Sequence, residues 1–344
     1  MLISMAELIS FYKTILEKKG CPPERAQEVA RVQVEIHGFG VLTHSLRPLN
    51  VLIEDLGNSV DPQKQPVRLL DNGTLQRFDC SGCISIESIR MAVANAGETA
   101  GKYGIGLCAV MNTGWIGALG YHLADLARKG FLVLGWVQSS NFANVVPHGG
   151  REPRFSTNPM GYSFPVPGSD PAVADFSTSA VSNGKAYQWI HNGKKAPEPL
   201  FLDKGGVPVD DPRVLEDGGA MLPTGGVHYG YKGTLLSLWI EAMVAASGIR
   251  PIHKAKSGGH NALVLAVDIS AMGEEQTYGT YINELCDWVR SSTPAEGSDG
   301  VRIPGERGWA ALKHASENGL SVSASYEEKI KLLSDTYGIP VPQG

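Results

Sequence analysis

The sequence predicts an α+β fold in which helices from both chain ends form one domain (residues 1–58 with 278–344) around a sheet-rich domain (residues 59–277). Three observations carry this. Apolar residues recur at helical spacing near the start (Leu8, Phe11, Tyr12, Ile15, Leu16), and helical runs return from Tyr278 onward. Apolar runs with strand character, such as Phe131-Leu132-Val133-Leu134 and Ala262 to Val267, lie in the middle. Finally, Gly104-Ile105-Gly106 follows a helix and opens a strand, the reverse of the strand–glycine–helix order of a Rossmann unit, so that fold is excluded.

Taken in order, Met5 to Lys19 is a helix closed by Gly20, and Pro22-Pro23 opens a second that runs to Ile36, because proline loses nothing where the N–H is unpaired anyway. A glycine-punctuated segment containing Thr43-His44 leads to an amphipathic run, Leu49 to Leu56. Pro62 to Phe78 reads as short strands about the turn Asp71-Asn72-Gly73, and Ile84 to Tyr103 as a strong helix. Leu107 to Met111 is a strand, Tyr121 to Lys129 a helix, Phe131 to Val137 a strand, and Pro171 to Val173 another apolar run. Ala180 to His191 reads as helical, Asp203 to Gly206 as a turn, and Val207 to Asp217 as an exposed connection. Thr234 to Ala246 is a long apolar helix, followed by the Ala262 strand, a helix from Tyr278 to Ser291, the turn Pro304-Gly305-Glu306-Arg307 and two closing helices.

Composition sets the class. At 42% hydrophobic and 19% charged, the chain can bury a substantial core. A net charge of −5 without a basic stripe argues against nucleic acid as partner. No apolar run approaches the length of a membrane span, and the N-terminal residues lack the basic start and cleavage site of a signal peptide. Five scattered cysteines, of which only Cys80 and Cys83 have C-x-x-C spacing, point to a reducing, cytoplasmic compartment and no metal.

The stretch from Asn112 to Lys185 concentrates glycine, proline, hydroxyl and amide residues between core strands, notably in Gly149 to Pro159 and Ala174 to Ser179. Such turns display backbone N–H groups and short side chains to a polar ligand, or serve only as connections. Lys232, beside glycines at a helix N-terminus, either meets a phosphate or carboxylate or is a solvated lysine in a cap.

In collinear order, Thr43-His44, Asn112 with Gly117 and Tyr121, Val146 to Gly150, Thr157-Asn158-Pro159, Asp175 with Ser177 to Ser179, Gly184-Lys185, Lys232-Gly233, and Arg302 with Pro304-Gly305-Glu306 resemble the malate/L-lactate dehydrogenase family of NAD(P)-dependent, non-Rossmann oxidoreductases. The resemblance spans nearly the whole chain. It implies a homodimer, with a mixed, largely antiparallel sheet domain that binds NAD or NADP. It implies hydride transfer to or from the carbon of a small 2-oxo or 2-hydroxy acid, or a cyclic imine bearing a carboxylate. His44 matches the family's acid/base histidine, needed because negative charge grows on the carbonyl oxygen as hydride arrives. Thr43 stands where the family has serine and would orient the imidazole or the substrate. The implied cofactor positions are Ser139, Asn158, Asp175, Phe176, Ser177, Lys232, Gly305, Glu306 and Arg307. Among them Asp175 would accept from ribose hydroxyls or lie on the nicotinamide side, and Lys232 would face phosphate.

Three departures are visible. No glycine follows His44, and Arg47, the expected carboxylate ligand, comes one residue early. Trp115 stands where many members have a second histidine, and His148 replaces an aromatic residue. Trp115, Arg47 and His148 are therefore the expected substrate-side residues. The departures also motivate an alternative, a catalytically reduced nucleotide- or metabolite-binding protein on the same scaffold. A structural metal protein using Cys80 and Cys83 is a third reading.

Overall fold

The computed structural model describes residues 2–139, 143–254 and 259–343; residues 140–142 of the central stretch lie outside these. A short strand β1 (Leu2–Ile3) precedes α1 (Met5–Lys18), which buries Leu8, Phe11, Tyr12, Ile15 and Leu16, the stripe its spacing predicts. α2 (Pro23–Gly38) starts on proline and buries Ala26, Val29, Val32 and Ile36. A single 3-10 turn, Leu42–His44, then leads into α3 (Leu46–Asp55), three residues earlier than the apolar run suggests.

The middle of the chain runs β2 (Val67–Asp71), β3 (Leu75–Asp79), α4 (Ser85–Tyr103), β4 (Ile105–Thr113), α5 (Leu119–Ala127), β5 (Phe131–Ser139), β6 (Met160–Phe164) and β7 (Ala172–Phe176). It continues through α6 (Asn183–His191), β8 (Phe201–Leu202), β9 (Pro208–Val209), β10 (Ala220–Met221), α7 (Gly226–Tyr229), α8 (Tyr231–Ala246) and β11 (His260–Asp268). Last come α9 (Glu275–Arg290), α10 (Glu306–Asn318), β12 (Leu320–Ser321) and α11 (Ala324–Tyr337). Seven strands form the main sheet in the order β2-β3-β4-β11-β5-β6-β7. Only β3 and β4 pair in parallel, so the sheet is mixed and largely antiparallel, as the resemblance implies.

The sheet is covered on both faces. Cys108, Val110, Val133 and Val264 meet Ile89, Val93 and Ala96 of α4 and Leu123 of α5, whereas the alternating residues Ala109, Trp136 and Leu263 meet Ile240 and Val244 of α8. Gly106 of the false dinucleotide pattern is a packing residue: a Cβ there would lie 2.3 Å from the Ala96 carbonyl oxygen of α4.

α1, α2 and α3 share one core with Trp309, Ala315, Ile330 and Leu333 of α10 and α11, a core that also takes in Ile84, Tyr121 and Val173 from the middle of the chain, and β1 pairs with β12. α9, expected among these helices, places Cys286, Ile282 and Val289 against Val166 and Ala172 beside β7. Other differences are local. Strand β6 was not expected, because Gly161 and the polar Ser163 mask its alternation. α6 begins at Asn183, where the Ser182 hydroxyl accepts from the Lys185 N–H and caps it. The connection at Val207 to Asp217 holds β9 and a 3-10 turn over Pro212–Glu216.

Candidate active site

His44 ends the 3-10 turn between α2 and α3, and this turn is tied from several sides. His37 Nδ1 lies 2.9 Å from Ser45 Oγ, and the Ser45 hydroxyl donates to the Leu42 carbonyl at 3.2 Å. From α11, the Tyr326 hydroxyl donates to the same carbonyl at 3.2 Å. Ser45 explains the missing glycine: its φ is −115°, outside the left-handed region, so the backbone makes no demand for glycine and the hydroxyl is used as a tie. The early arrival of Arg47 puts it in the first turn of α3, with its guanidinium carbon 5.4 Å from the centre of the Trp115 ring.

His44 Nδ1 lies 2.8 Å from Thr43 Oγ1, and the His44 ring meets Trp115 edge-to-face at 5.7 Å. Burial, and then the charge of Arg47, push the His44 imidazole down to about 4, so it rests neutral near pH 7. Gly184 of α6 packs on Thr43: a Cβ there would come within 2.8 Å of Thr43 Cβ. The Asn183-Gly184-Lys185 end of the central stretch thus meets the histidine turn, a contact that no spacing in the sequence signals.

A second imidazole was not foreseen. His260 opens β11 opposite Thr113 and Ser139, and is pushed down to about 4 by burial and by the nearby His44. At that point the β4–β11 register slips by one residue, and the extra residue, Asn112, takes φ 57°. This bulge redirects the strand into the turn that carries Trp115.

Asp175, at the end of β7, reaches across to α5 and accepts from the Gly120 N–H at 2.9 Å. Its residue is exposed, and desolvation pushes its carboxyl up to about 6 against the Gly120 and Leu119 N–H groups. Phe176 beside it is 39% exposed. Ser177 donates to the Ser179 carbonyl, and Thr178 shares a 2.8 Å hydrogen bond with Ser237 of α8. Gly233 allows that approach, since a Cβ would stand 2.5 Å from the Thr178 carbonyl oxygen.

The remaining expected positions fall into three places. His148 and Lys232 gather at the start of α8, His148 against Tyr231 and Lys232 over the Tyr229 ring at 5.4 Å; none of the contacts described joins His148 to His44. Asn158 is fully buried and its amide oxygen accepts from the Ser139 N–H at 3.3 Å, so its side chain does not itself reach the surface. Gly305 and Glu306 form a turn against β7: the Pro304 carbonyl accepts from the Val173 N–H, while Glu306 holds Arg290 and the Ile303 N–H. Arg307 is exposed next to them. A pocket of about 370 Å³ lies beside this turn, lined in part by Asp170, Arg290, Glu306, Trp309 and Lys313; it includes none of His44, Trp115 or Asp175.

Among the described residues no group of three or more His, Cys, Asp or Glu side chains is placed to hold a metal, and no helix is long and apolar enough to cross a membrane. Cys80 and Cys83 are buried just before α4, and burial pushes the Cys80 thiol up to about 12.

Beside the non-Rossmann mixed sheet stand a histidine with a hydroxyl partner, an arginine over an indole and, apart from these, an exposed carboxylate at the end of β7, groups of the kind a dehydrogenase site uses. Residues 3–331 match the malate/L-lactate dehydrogenase family. The chain is similar to an L-lactate dehydrogenase of Cupriavidus necator, 29% identical with 99% of each chain covered, and to a Δ1-pyrroline-2-carboxylate/Δ1-piperideine-2-carboxylate reductase of Pseudomonas putida, 27% identical over 98% and 97%. Among solved structures it is similar to malate dehydrogenase from Entamoeba histolytica, with a TM-score of 0.92, 22% identity and 99% of each chain covered, a likeness of fold. It is also similar to Δ1-piperideine-2-carboxylate reductase from Pseudomonas syringae, with a TM-score of 0.83, 25% identity and coverage of 97% and 99%. The chain belongs to the malate/L-lactate dehydrogenase family and is an oxidoreductase of 2-hydroxy or 2-oxo acids or imino acids, with NAD or NADP as cofactor.

Proposed function

We propose that the chain reduces a small 2-oxo acid or a cyclic imino acid, or oxidises the matching 2-hydroxy acid, with His44 as the acid/base group. The observation that carries this reading is the Thr43–His44–Trp115–Arg47 cluster at the junction of the helical ends and the sheet. When bound, the nicotinamide supplies or takes up the hydride. Because Nδ1 is engaged by Thr43, Nε2 is the atom that exchanges the proton with substrate oxygen or nitrogen. Arg47 binds the substrate carboxylate. Its charge is one cause of the lowered His44 basicity, so a carboxylate beside it offsets that effect and readies His44 to carry the proton for reduction. Trp115 takes no proton; it fixes Arg47 and walls the pocket.

The residues present fit a nicotinamide nucleotide. Asp175 and Phe176 lie accessible at the end of β7, the Ser177 hydroxyl oxygen follows as an acceptor, and Lys232 with the N-terminus of α8 offers positive charge for phosphate. Ser139, set by Asn158, and the Gly305-Glu306-Arg307 turn complete the proposed contacts. We also take the working unit to be a homodimer. α8 exposes an apolar stripe of Leu235 (61%), Leu238 (52%) and Trp239 (54%), which one chain leaves uncovered. A panel of 2-oxo acids and cyclic imines with NADH and NADPH, followed at the reduced-nicotinamide absorbance, is expected to give turnover with at least one pair. Nucleotide binding with no turnover on any pair would favour the reduced binding protein that Trp115 suggested.

A further inference from the structure

We propose that Glu241, a buried carboxylate on α8, is a positioning residue that sets the hydrogen-bond polarity of both loops bordering the site; its link to cofactor rests on the reading above. Among the described residues two asparagines, Asn112 at φ 57° and Asn158 at φ 28°, hold positive φ values that residues other than glycine rarely adopt. Both are tied to Glu241.

A carboxylate only accepts, so every neighbour must donate. Glu241 Oε1 accepts from Asn158 Nδ2 at 2.9 Å, and Oε2 accepts from Gln138 Nε2 at 2.8 Å and from the Ile252 N–H at 2.9 Å. Asn158 is thereby forced to turn its Oδ1 toward the Ser139 N–H. Gln138 is forced to turn its Oε1 toward Asn261, which donates to it at 2.6 Å, and the Asn261 Oδ1 then accepts from the Asn112 N–H at 2.9 Å. Gln138 and Asn158 are fully buried, Asn261 is 4% exposed and Glu241 8%, so water cannot replace a misdirected partner cheaply. One arm ends at Ser139 on the proposed nucleotide side. The other ends at the bulge that launches the Trp115 turn. The acceptor-only character of one side chain, seconded by the Arg250 carbonyl that accepts from Gln138 Nε2 at 3.3 Å, therefore favours one orientation of three amides in sequence.

Glu241→Gln separates this from a mere packing role, because it keeps the shape. The Ile252 N–H cannot turn, so the new amide oxygen stays at the Oε2 position and its NH2 faces Asn158. Asn158 must flip, and the Ser139 N–H loses its acceptor. The double variant Glu241→Gln/Asn158→Asp supplies an oxygen to both the new NH2 and Ser139, restoring the pattern with the charge moved by one residue. NADH and NADPH binding to full-length protein, measured by quenching of protein fluorescence, is expected to weaken by about tenfold in the single variant, with faster amide exchange at the end of β5. The double variant is expected to recover to within about threefold, with native exchange. Unchanged binding together with unchanged β5 exchange in Glu241→Gln overturns the proposal, as does a loss of either kind that the double variant fails to relieve. If Glu241→Gln fails to fold, a native double variant supports the polarity argument and an unfolded one overturns it. Should the unaltered protein bind neither nucleotide, the cofactor reading falls, and the exchange at β5 still decides the role of Glu241.

Discussion

The Thr43 hydroxyl oxygen lies 2.8 Å from Nδ1 of His44, so the proposed acid/base group is oriented by the residue just before it in the chain. Removing the imidazole in His44→Ala is expected to lower turnover by about 10²–10⁴ while nucleotide affinity stays within about twofold of the parent. Turnover that survives the change would remove His44 from the reaction. Thr43→Val, which keeps the shape and deletes the hydroxyl, is expected to cost about tenfold in kcat, and Thr43→Ser to cost little. Steady-state kinetics on the three variants check this.

Gly184 gives a way to move Thr43 without touching it chemically. A methyl group there meets the Thr43 Cβ and Cγ2 at 2.8 and 3.1 Å, and both are side-chain atoms. Gly184→Ala is expected to lower kcat by about tenfold through displacement of the Thr43–His44 pair, with thermal stability nearly kept, because the residue is helical and alanine is the better helix former. A large loss of stability with normal kcat in the folded fraction would contradict this.

The Trp115 ring stacks under Arg47 at 5.4 Å. Replacing the indole by leucine in Trp115→Leu removes a cation–π contact of about 0.5–2 kcal/mol and frees the guanidinium. The expected result is a rise of about 3- to 30-fold in KM for the acid substrate, with nucleotide KM unchanged. Equal effects on both KM values would place Trp115 in general packing instead.

Four histidines are held neutral by burial: His37, His44, His122 and His260 are each pushed down to about 4. An unfolded imidazole titrates near 6.5, so between these values the unfolded chain binds more protons, and stability is full above about 6.5 and lost as pH falls toward 4. Asp175 works the other way. Desolvation pushes it up to about 6, so its folded form holds a proton more readily, and its contribution shrinks as pH rises through the same window. The histidines outnumber it, and the urea midpoint is expected to fall steadily from pH 7 to 4.5. His122, 1% exposed with Nε2 2.8 Å from the Ile116 carbonyl, should account for about 1–3 kcal/mol of that slope, so His122→Gln should flatten it. A flat pH profile in the parent would contradict this account.

The oxidation reaction should follow His44 separately. It needs neutral Nε2, so kcat/KM for a hydroxy acid is expected to rise through about pH 4 and level off above it. A limb near the ordinary histidine value of about 6.5 would show that the imidazole is not desolvated in the working enzyme.

What the sequence alone determined was whatever depends on local order. Periodicity marks α1, α2 and α4 through Leu8, Val29 and Ile89, and the order of helix and strand around Gly106 excludes a Rossmann unit without any coordinates. The collinear motifs also single out Thr43 and His44, since a proposed catalytic pair adjacent in sequence needs no fold to bring it together. Only the tertiary structure decided the rest. The place of α9 beside β7, the approach of Gly184 to Thr43, the bulge at Asn112 and the chain of Asn158, Gln138 and Asn261 that runs out from Glu241 join residues roughly 80 to 150 positions apart. Hydrogen bonds and close packing act through space over a few ångströms and leave no spacing in the chain, whereas a helix face repeats along it.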